Sequence, residues 1–286
     1  MTARVSGKTL RAADIGFDTW LVLGGGGMKG MAHVGAWRWL RERGTPLGGL
    51  IGCSIGALVA ACIAAGLDVS TMYRIARRLE RSDIIRVNRR AAWVNGLKAE
   101  SVFQARPLRD FIASILPVHR WEQLRHPLQV NAVDLANGTV EWFGTGARTD
   151  VSVVDAVYAS SALPVFYPPA EIGGRYYVDG GVEQALPMDR CEALGASGVL
   201  AVDCGAGAEA DAEDIVERGM VAIHQRVMSI MIRRRRMELA SGWHSLPKLV
   251  IRPNLDGYDT FDFDSIPYFL EEGYRSAREA LPDPRA

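Results

Sequence analysis

Apolar residues along the chain gather into short runs that stop at glycine and give way to helical periodicity, a pattern that begins at Leu21. Leu21 to Leu23 reads as a strand ending in Gly24, Gly25, Gly26 and Gly27, and Lys29 to Arg43 follows as a helix closed by Gly44. Leu50 and Ile51 form a second run. They pass through Gly52, Cys53 and Ser54 into Ile55 to Ala65, a helix so uniformly apolar that it must be buried on all sides. Two strand, turn and helix units in succession predict a parallel sheet, because parallel strands need crossover connections. Leu128 to Leu135 and Thr139 to Phe143 alternate around Asn137-Gly138 and predict a hairpin. Val153 to Ala162 reads as a helix that must end before Pro164. Short strands are expected at Tyr176 to Val178, Val199 to Val202 and Leu249 to Ile251, with helices over about Ile215 to Leu239 and Ile266 to Ala280.

These elements predict an α/β fold, a three-layer α/β/α arrangement around a central, mostly parallel sheet. No linker rich in Pro or Gly splits the chain, so one domain is expected over residues 1–286, with its core at about 20–270. Hydrophobic residues make up 48% and charged residues 23% of the 286, which excludes a disordered tail and a small disulfide scaffold. Lys plus Arg and Asp plus Glu both number 33, so no net field gathers nucleic acid onto the molecule. Cys53, Cys62, Cys191 and Cys204 are scattered without a C-x-x-C pair, which argues against a zinc site or disulfide framework and for a reducing cytoplasm. The charges among the first nineteen residues leave no run long enough for a signal peptide. Thr45 to Leu67 carries no charge, but Pro46, Gly48, Gly49 and Gly52 interrupt it. Its helical part is shorter than the ~20 residues a membrane span needs.

Gly52-Cys53-Ser54-Ile55-Gly56 fits G-x-S-x-G between a strand and a helix, the context that holds a serine hydroxyl out of a sharp turn as a nucleophile. The Ile55 N–H and the positive helix end lie close enough to favour developing negative charge. Cys53 is the rival nucleophile, with a buried small side chain as its simpler role. The glycine loop is no Walker loop, because Met28 and Gly30 stand where that motif needs Gly and Ser or Thr. Gly25-x-Gly27-x-x-Gly30 fits a dinucleotide loop formally, yet the next strand ends in Ser54 rather than the acidic residue that would hold a ribose. An oxyanion hole built from backbone amides is the remaining reading. None of His33, His119, His126, His224 and His244 sits in a short sequence suggestive of a triad. Asp179 follows a strand and is held by Gly180 and Gly181, a turn that can aim its carboxylate at a neighbouring site.

Four segments, Gly25 to Gly30, Gly52 to Gly56, Ala159 to Ala162 through Pro164 to Pro169, and Asp179 to Gly181, come in the order and spacing of the patatin-like phospholipase family, which the chain resembles from about Trp20 to Leu270. The resemblance implies a lipid acyl hydrolase with a Ser-Asp dyad and no metal or cofactor. Ser54 would be the nucleophile, Asp179 its base and Gly25, Gly26 and Gly27 the oxyanion hole, with Lys29, Gly30, Gly52, Gly56, Gly180 and Gly181 supporting the motifs. Lys29 stands for the family's commoner arginine and Cys53 for its commoner threonine. The implied partner is a lipid or other acyl ester. Alternatives are a soluble carboxylesterase or thioesterase and a non-catalytic nucleotide-binding module. Asn88 to Phe103 mixes Arg89, Arg90 and Lys98 with Trp93, Val94 and Leu97, a composition shared by a lid, a segment for transient contact with the inner membrane face and an ordinary surface helix. Four successive arginines, Arg233 to Arg236, spread around a helix at about 100° per residue and read as a solvated, ion-paired helix.

Overall fold

The chain runs β1 (Thr19–Leu23), α1 (Ala32–Glu42), β2 (Gly49–Gly52), α2 (Ile55–Ala64), α3 (Val69–Arg78), α4 (Arg81–Ile84), α5 (Ala105–Ile115), β3 (Leu128–Asp134), β4 (Val140–Gly144) and α6 (Val153–Ser160). It continues through β5 (Ala170–Ile172), β6 (Arg175–Asp179), α7 (Gly181–Gln184), α8 (Arg190–Ala193), β7 (Gly198–Val202), α9 (Ala212–Glu217), α10 (Met220–Gly242), β8 (Lys248–Ile251) and α11 (Ile266–Ala280). The computed structural model describes residues 9–88, 99–205, 211–242 and 245–283. Arg89 to Lys98, the centre of the basic and aromatic segment noted above, lies outside them, as does His244.

The eight strands among the described residues join one sheet in the order β5-β6-β3-β2-β1-β7-β8, with β4 added to β3. The run β3-β2-β1-β7-β8 is parallel, as the strand, turn and helix units predict. β4, β5 and β6 extend it with antiparallel pairs. Every residue of β1 is buried, because both its faces are covered. Leu21 and Leu23 enter the larger core with residues of α1, α2, α6 and α11, while Trp20 and Val22 pack on the other face with Met188 and Cys191.

Three strands converge at the C-terminal end of β2. Val130 of β3 pairs with Gly52 of β2 and with Phe143 of β4, and Ala132 pairs with Asp179 of β6 and Glu141 of β4. A strand has only two edges, so β2 and β6 share the edge opposite β4 and meet end to end along it. The last residue of each, Gly52 and Asp179, is therefore separated by two residues of β3, about 7 Å.

Several elements differ from the sequence expectation. The helix expected from Lys29 begins as a 3-10 turn over Gly27–Met31 and becomes α-helical only at Ala32. The helix expected over 215–239 is two, α9 and α10, parted at Gly219, whose φ of 82° is the left-handed conformation that ends a helix. The hairpin forms as expected, with Gly138 at a φ of 74°. No helix among the described residues is long and apolar enough to cross a membrane.

α1 and α11 touch backbone to backbone. A Cβ on Gly35 would lie 1.9 Å from the Leu270 carbonyl oxygen, and one on Gly273 would lie 1.9 Å from that of Ala32. Neither obstacle is a side chain that can swing away, so the helices must separate to admit a methyl group. Gly35→Ala and Gly273→Ala are each expected to cost about 2–3 kcal/mol, read as a lower urea midpoint at unchanged m-value. A midpoint within error of the wild type would show that this crossing is loose.

Candidate active site

Ser54 is where β2 ends and α2 begins, and its backbone takes φ 54° and ψ −125°. A non-glycine residue there costs of order 1–3 kcal/mol and persists only where its surroundings enforce it. Here they do. Cys53 donates its N–H to the Leu23 carbonyl at 3.0 Å, Ser54 its own to Ser160 Oγ at 2.9 Å, and Gly56 its own to the Cys53 carbonyl at 2.8 Å. Gly56 lies so close beneath β1 that a Cβ would stand 2.1 Å from the Leu23 carbonyl oxygen. Gly30 and Gly52 are enclosed in the same way, against Ile55 and Ala57.

The enforced turn aims the Ser54 hydroxyl at Asp179, to which it donates a hydrogen bond, Oγ to Oδ2, of 2.6 Å. Asp179 Oδ1 accepts the Gly181 N–H at 2.7 Å, which fixes the carboxylate plane. Gly180 closes against Asn131, whose side-chain amide donates to the carbonyls of Gly180 and Gln184. Burial pushes the Asp179 carboxyl up from 3.8 to about 6, and the bonds from Ser54 and Gly181 hold it back from rising further. Cys53 is fully buried, and burial followed by the nearby Asp179 charge raises its thiol well above the ordinary value. It is thus a thiol where nucleophilic attack needs a thiolate.

The glycine loop is held from three sides. Gly24 donates to Val202, Gly25 to the Ala185 carbonyl at 2.8 Å, and Met28 to the Thr260 carbonyl at 2.8 Å. His33, fully buried, places Nε2 2.7 Å from the Gly24 carbonyl; that oxygen can only accept, so Nε2 carries the proton and Nδ1 faces the Cys204 thiol at 3.5 Å. Burial pushes His33 down to about 4, so it is neutral at pH 7 and acts as a brace for the loop. The amides of Gly26, Gly27 and Ile55 have no acceptor among the described residues. Gly25, although part of the loop, has its amide committed to Ala185.

Ser54, Asp179 and the glycine loop open onto one cleft of about 1210 Å³, part of it open to solvent. Leu58, Leu108, Phe111, Phe166 and Phe261 give its wall apolar surface, and Lys29, His224 and Arg236 line it as well. Lys29 is 4% exposed, with its Nζ 3.3 Å from the Tyr258 carbonyl and no carboxylate within salt-bridge distance among the described residues. Arg236 is bonded to Asp203 at 2.7 Å. Of the four successive arginines, Arg234 pairs with Glu238, Arg235 with Glu183 and Arg236 with Asp203, in line with the ion-paired reading.

The structure thus brings together Ser54, Asp179, Gly181, Lys29 and the glycine loop. Ser160, Asn131, Ala185, His33 and Arg236 were not assigned to the site from sequence. Asn131 reads in sequence only as the polar face of an alternating strand, beside Gln129, and its burial at the site is set by the fold.

Residues 21–191 match the family model described as patatin-like phospholipase. An uncharacterized NTE family protein of Mycobacterium tuberculosis is 34% identical over 197 residues, 68% of this chain and 51% of that protein. Lysophospholipase nte1 of Aspergillus fumigatus is 26% identical over 282 residues, 91% of this chain and 18% of that protein. The chain therefore spans about half the length of the first and under a fifth of the second. VipD of Legionella pneumophila, a solved structure, aligns over 92% of this chain and 66% of its own with 16% identity and a TM-score of 0.47.

Proposed function

Because the chain belongs to the patatin-like phospholipase family, we propose that it is a serine hydrolase of lipid acyl esters working through Ser54 and Asp179. The observation that carries this reading is the 2.6 Å hydrogen bond between a strained serine and a buried carboxylate that both line a largely apolar cleft. Asp179 takes the Oγ proton as Ser54 attacks the ester carbonyl carbon, and the carbonyl oxygen becomes the oxyanion. The amides of Gly26, Gly27 and Ile55 are the donors for it, and Gly25 shapes the turn through Ala185. Collapse breaks the ester C–O bond, and the leaving alcohol takes the proton from Asp179. Water then attacks the acyl-enzyme, gives its proton to Asp179 and releases the fatty acid as Ser54 is reprotonated.

Two features support an ester with a long acyl chain and an anionic head group. The apolar lining fits the chain, and Lys29, with no carboxylate within salt-bridge distance among the described residues, places a cation at the same cleft beside Arg236, which is paired with Asp203. A phospholipid or lysophospholipid is thus favoured over a neutral soluble ester. A carboxylate near 6 is a stronger base than an ordinary one and must be ionised to act. kcat/KM is therefore expected to fall about tenfold per pH unit below about pH 6 and to level off above it. A profile flat from pH 4 to pH 8 would remove Asp179 from the base role. Run on matched lysophospholipid and monoacylglycerol of one chain length, the same assay is expected to favour the phosphate-bearing ester.

A further inference from the structure

Among the described residues, one side of α10 meets the rest of the protein and the other does not. His224, Met228, Ile232 and Arg236, four residues apart in turn, line the catalytic cleft. At about 100° per residue, Ile223, Val227, Ile230 and Met237 fall on the opposite side, with Met231 at its edge. They are 41–63% exposed. Single exposed apolar residues are ordinary, but five along one side of one helix mark an interaction surface. We propose that this outer face of α10 seats the protein on the surface of a lipid bilayer, holding the cleft wall on its inner face against the substrate layer. The proposal rests on the lipid hydrolase reading above.

Charge decides between a lipid surface and a second copy of the chain. Arg226 and Arg233 flank the stripe and Arg234 interrupts it, with Glu238 as the acidic partner of Arg234. In a parallel self-pair Arg234 would face its own copy inside the stripe. In an antiparallel pair the flanking Arg226 and Arg233 of the two copies would face each other. Either arrangement sets like charges against the apolar contact, which disfavours pairing. A bilayer instead accepts apolar side chains into its interface and meets flanking arginines with phosphates. The acidic residues of α9, Asp211, Glu213, Asp214 and Glu217, lie beyond Gly219. The arginine end of α10 is therefore the end that engages an anionic surface.

The test uses the triple variant Ile223→Gln, Ile230→Gln and Met231→Gln, whose side chains are exposed and lie outside the cleft, with Phe17→Gln as a control. Phe17 is 79% exposed and precedes β1, at the end of the sheet away from Ser54. Sedimentation with phosphatidylcholine vesicles, with and without phosphatidylglycerol, measures binding, and a soluble short-chain ester measures the catalytic centre. The triple variant is expected to lose at least about tenfold in vesicle binding and in hydrolysis of vesicle lipid, while soluble-ester turnover stays within about twofold. Phe17→Gln should match the wild type. Equal vesicle binding by wild type and triple variant, or binding by neither, overturns the proposal. So does a dimeric wild type that the triple variant makes monomeric, which would assign the stripe to a second copy. Failure of soluble-ester turnover in the wild type would sink the hydrolase reading, while the vesicle measurement would still decide the surface.

Discussion

Ser54→Ala is expected to reduce ester hydrolysis on the order of 10⁴- to 10⁶-fold, to the background left by substrate binding and the oxyanion donors. It should also abolish labelling by a fluorophosphonate, which reacts only with an activated serine. The substitution removes one oxygen and the 2.6 Å bond to Asp179. The backbone is still pinned by the Ser54 N–H bond to Ser160 and by the enclosed Gly56, so the protein should fold. Cys53 offers no rescue, because burial keeps it protonated. Retention of full activity in a correctly folded variant would refute the nucleophile assignment. Labelling that moved to another residue would do the same.

Asp179→Asn is expected to cost about 10⁴-fold in turnover and at the same time to stabilise the fold. Asparagine keeps the shape and an acceptor for Gly181, but its amide cannot take the Ser54 proton. The gain in stability follows from the direction of the shift. A buried carboxyl raised from 3.8 to about 6 favours the protonated form in the folded state. Its ionisation therefore costs nothing below about pH 4, costs progressively more up to about pH 6, and costs on the order of 3 kcal/mol above that. Urea unfolding should show Asp179→Asn more stable than wild type at pH 7 and equal to it near pH 3.5. A variant less stable at both pH values would mean that the carboxylate contributes to folding, and that its charge is compensated in the native site. Replacing His33 is a different experiment, since its loss would loosen the glycine loop without removing a proton acceptor from Ser54.

The parts of the molecule legible in sequence are those whose signals are local. β1, β2, the Asn137-Gly138 hairpin and the serine turn each rest on residues within a few positions of one another, where steric rules act without help from the rest of the chain. The break at Gly219 is equally local, yet the apolar pattern continues through it from Ile215 to Leu239 and masks the stop. α5 also carried a helical pattern in Leu108, Phe111, Ile112 and Ile115, behind Pro107 in its first turn. What could not be read were contacts set by register and by distant chain. The Gly25 amide looks free beside its glycine neighbours until Ala185 takes it. Lys29 reads as a motif position until the fold brings Arg236 to the same cleft. Ser160 lies within the Ala159 to Ala162 segment of the resemblance, but its role as acceptor of the Ser54 amide is set by the fold.

The end-to-end meeting of β2 and β6 on β3 gives the active site an unusual dependence. Ser54 and Asp179 are 125 positions apart, yet their spacing is copied from the two-residue interval between Val130 and Ala132, in a strand that supplies no reacting atom. β3 acts as a gauge block. Loops on the way from one residue to the other, such as 116–127 or 145–152, can lengthen or shorten in evolution without moving the two groups relative to each other. A single residue inserted or deleted inside β3 would shift one group by a strand step and turn its side chain to the other face. Tolerance to insertion along this chain should accordingly be lowest at a strand that a survey of catalytic residues would pass over.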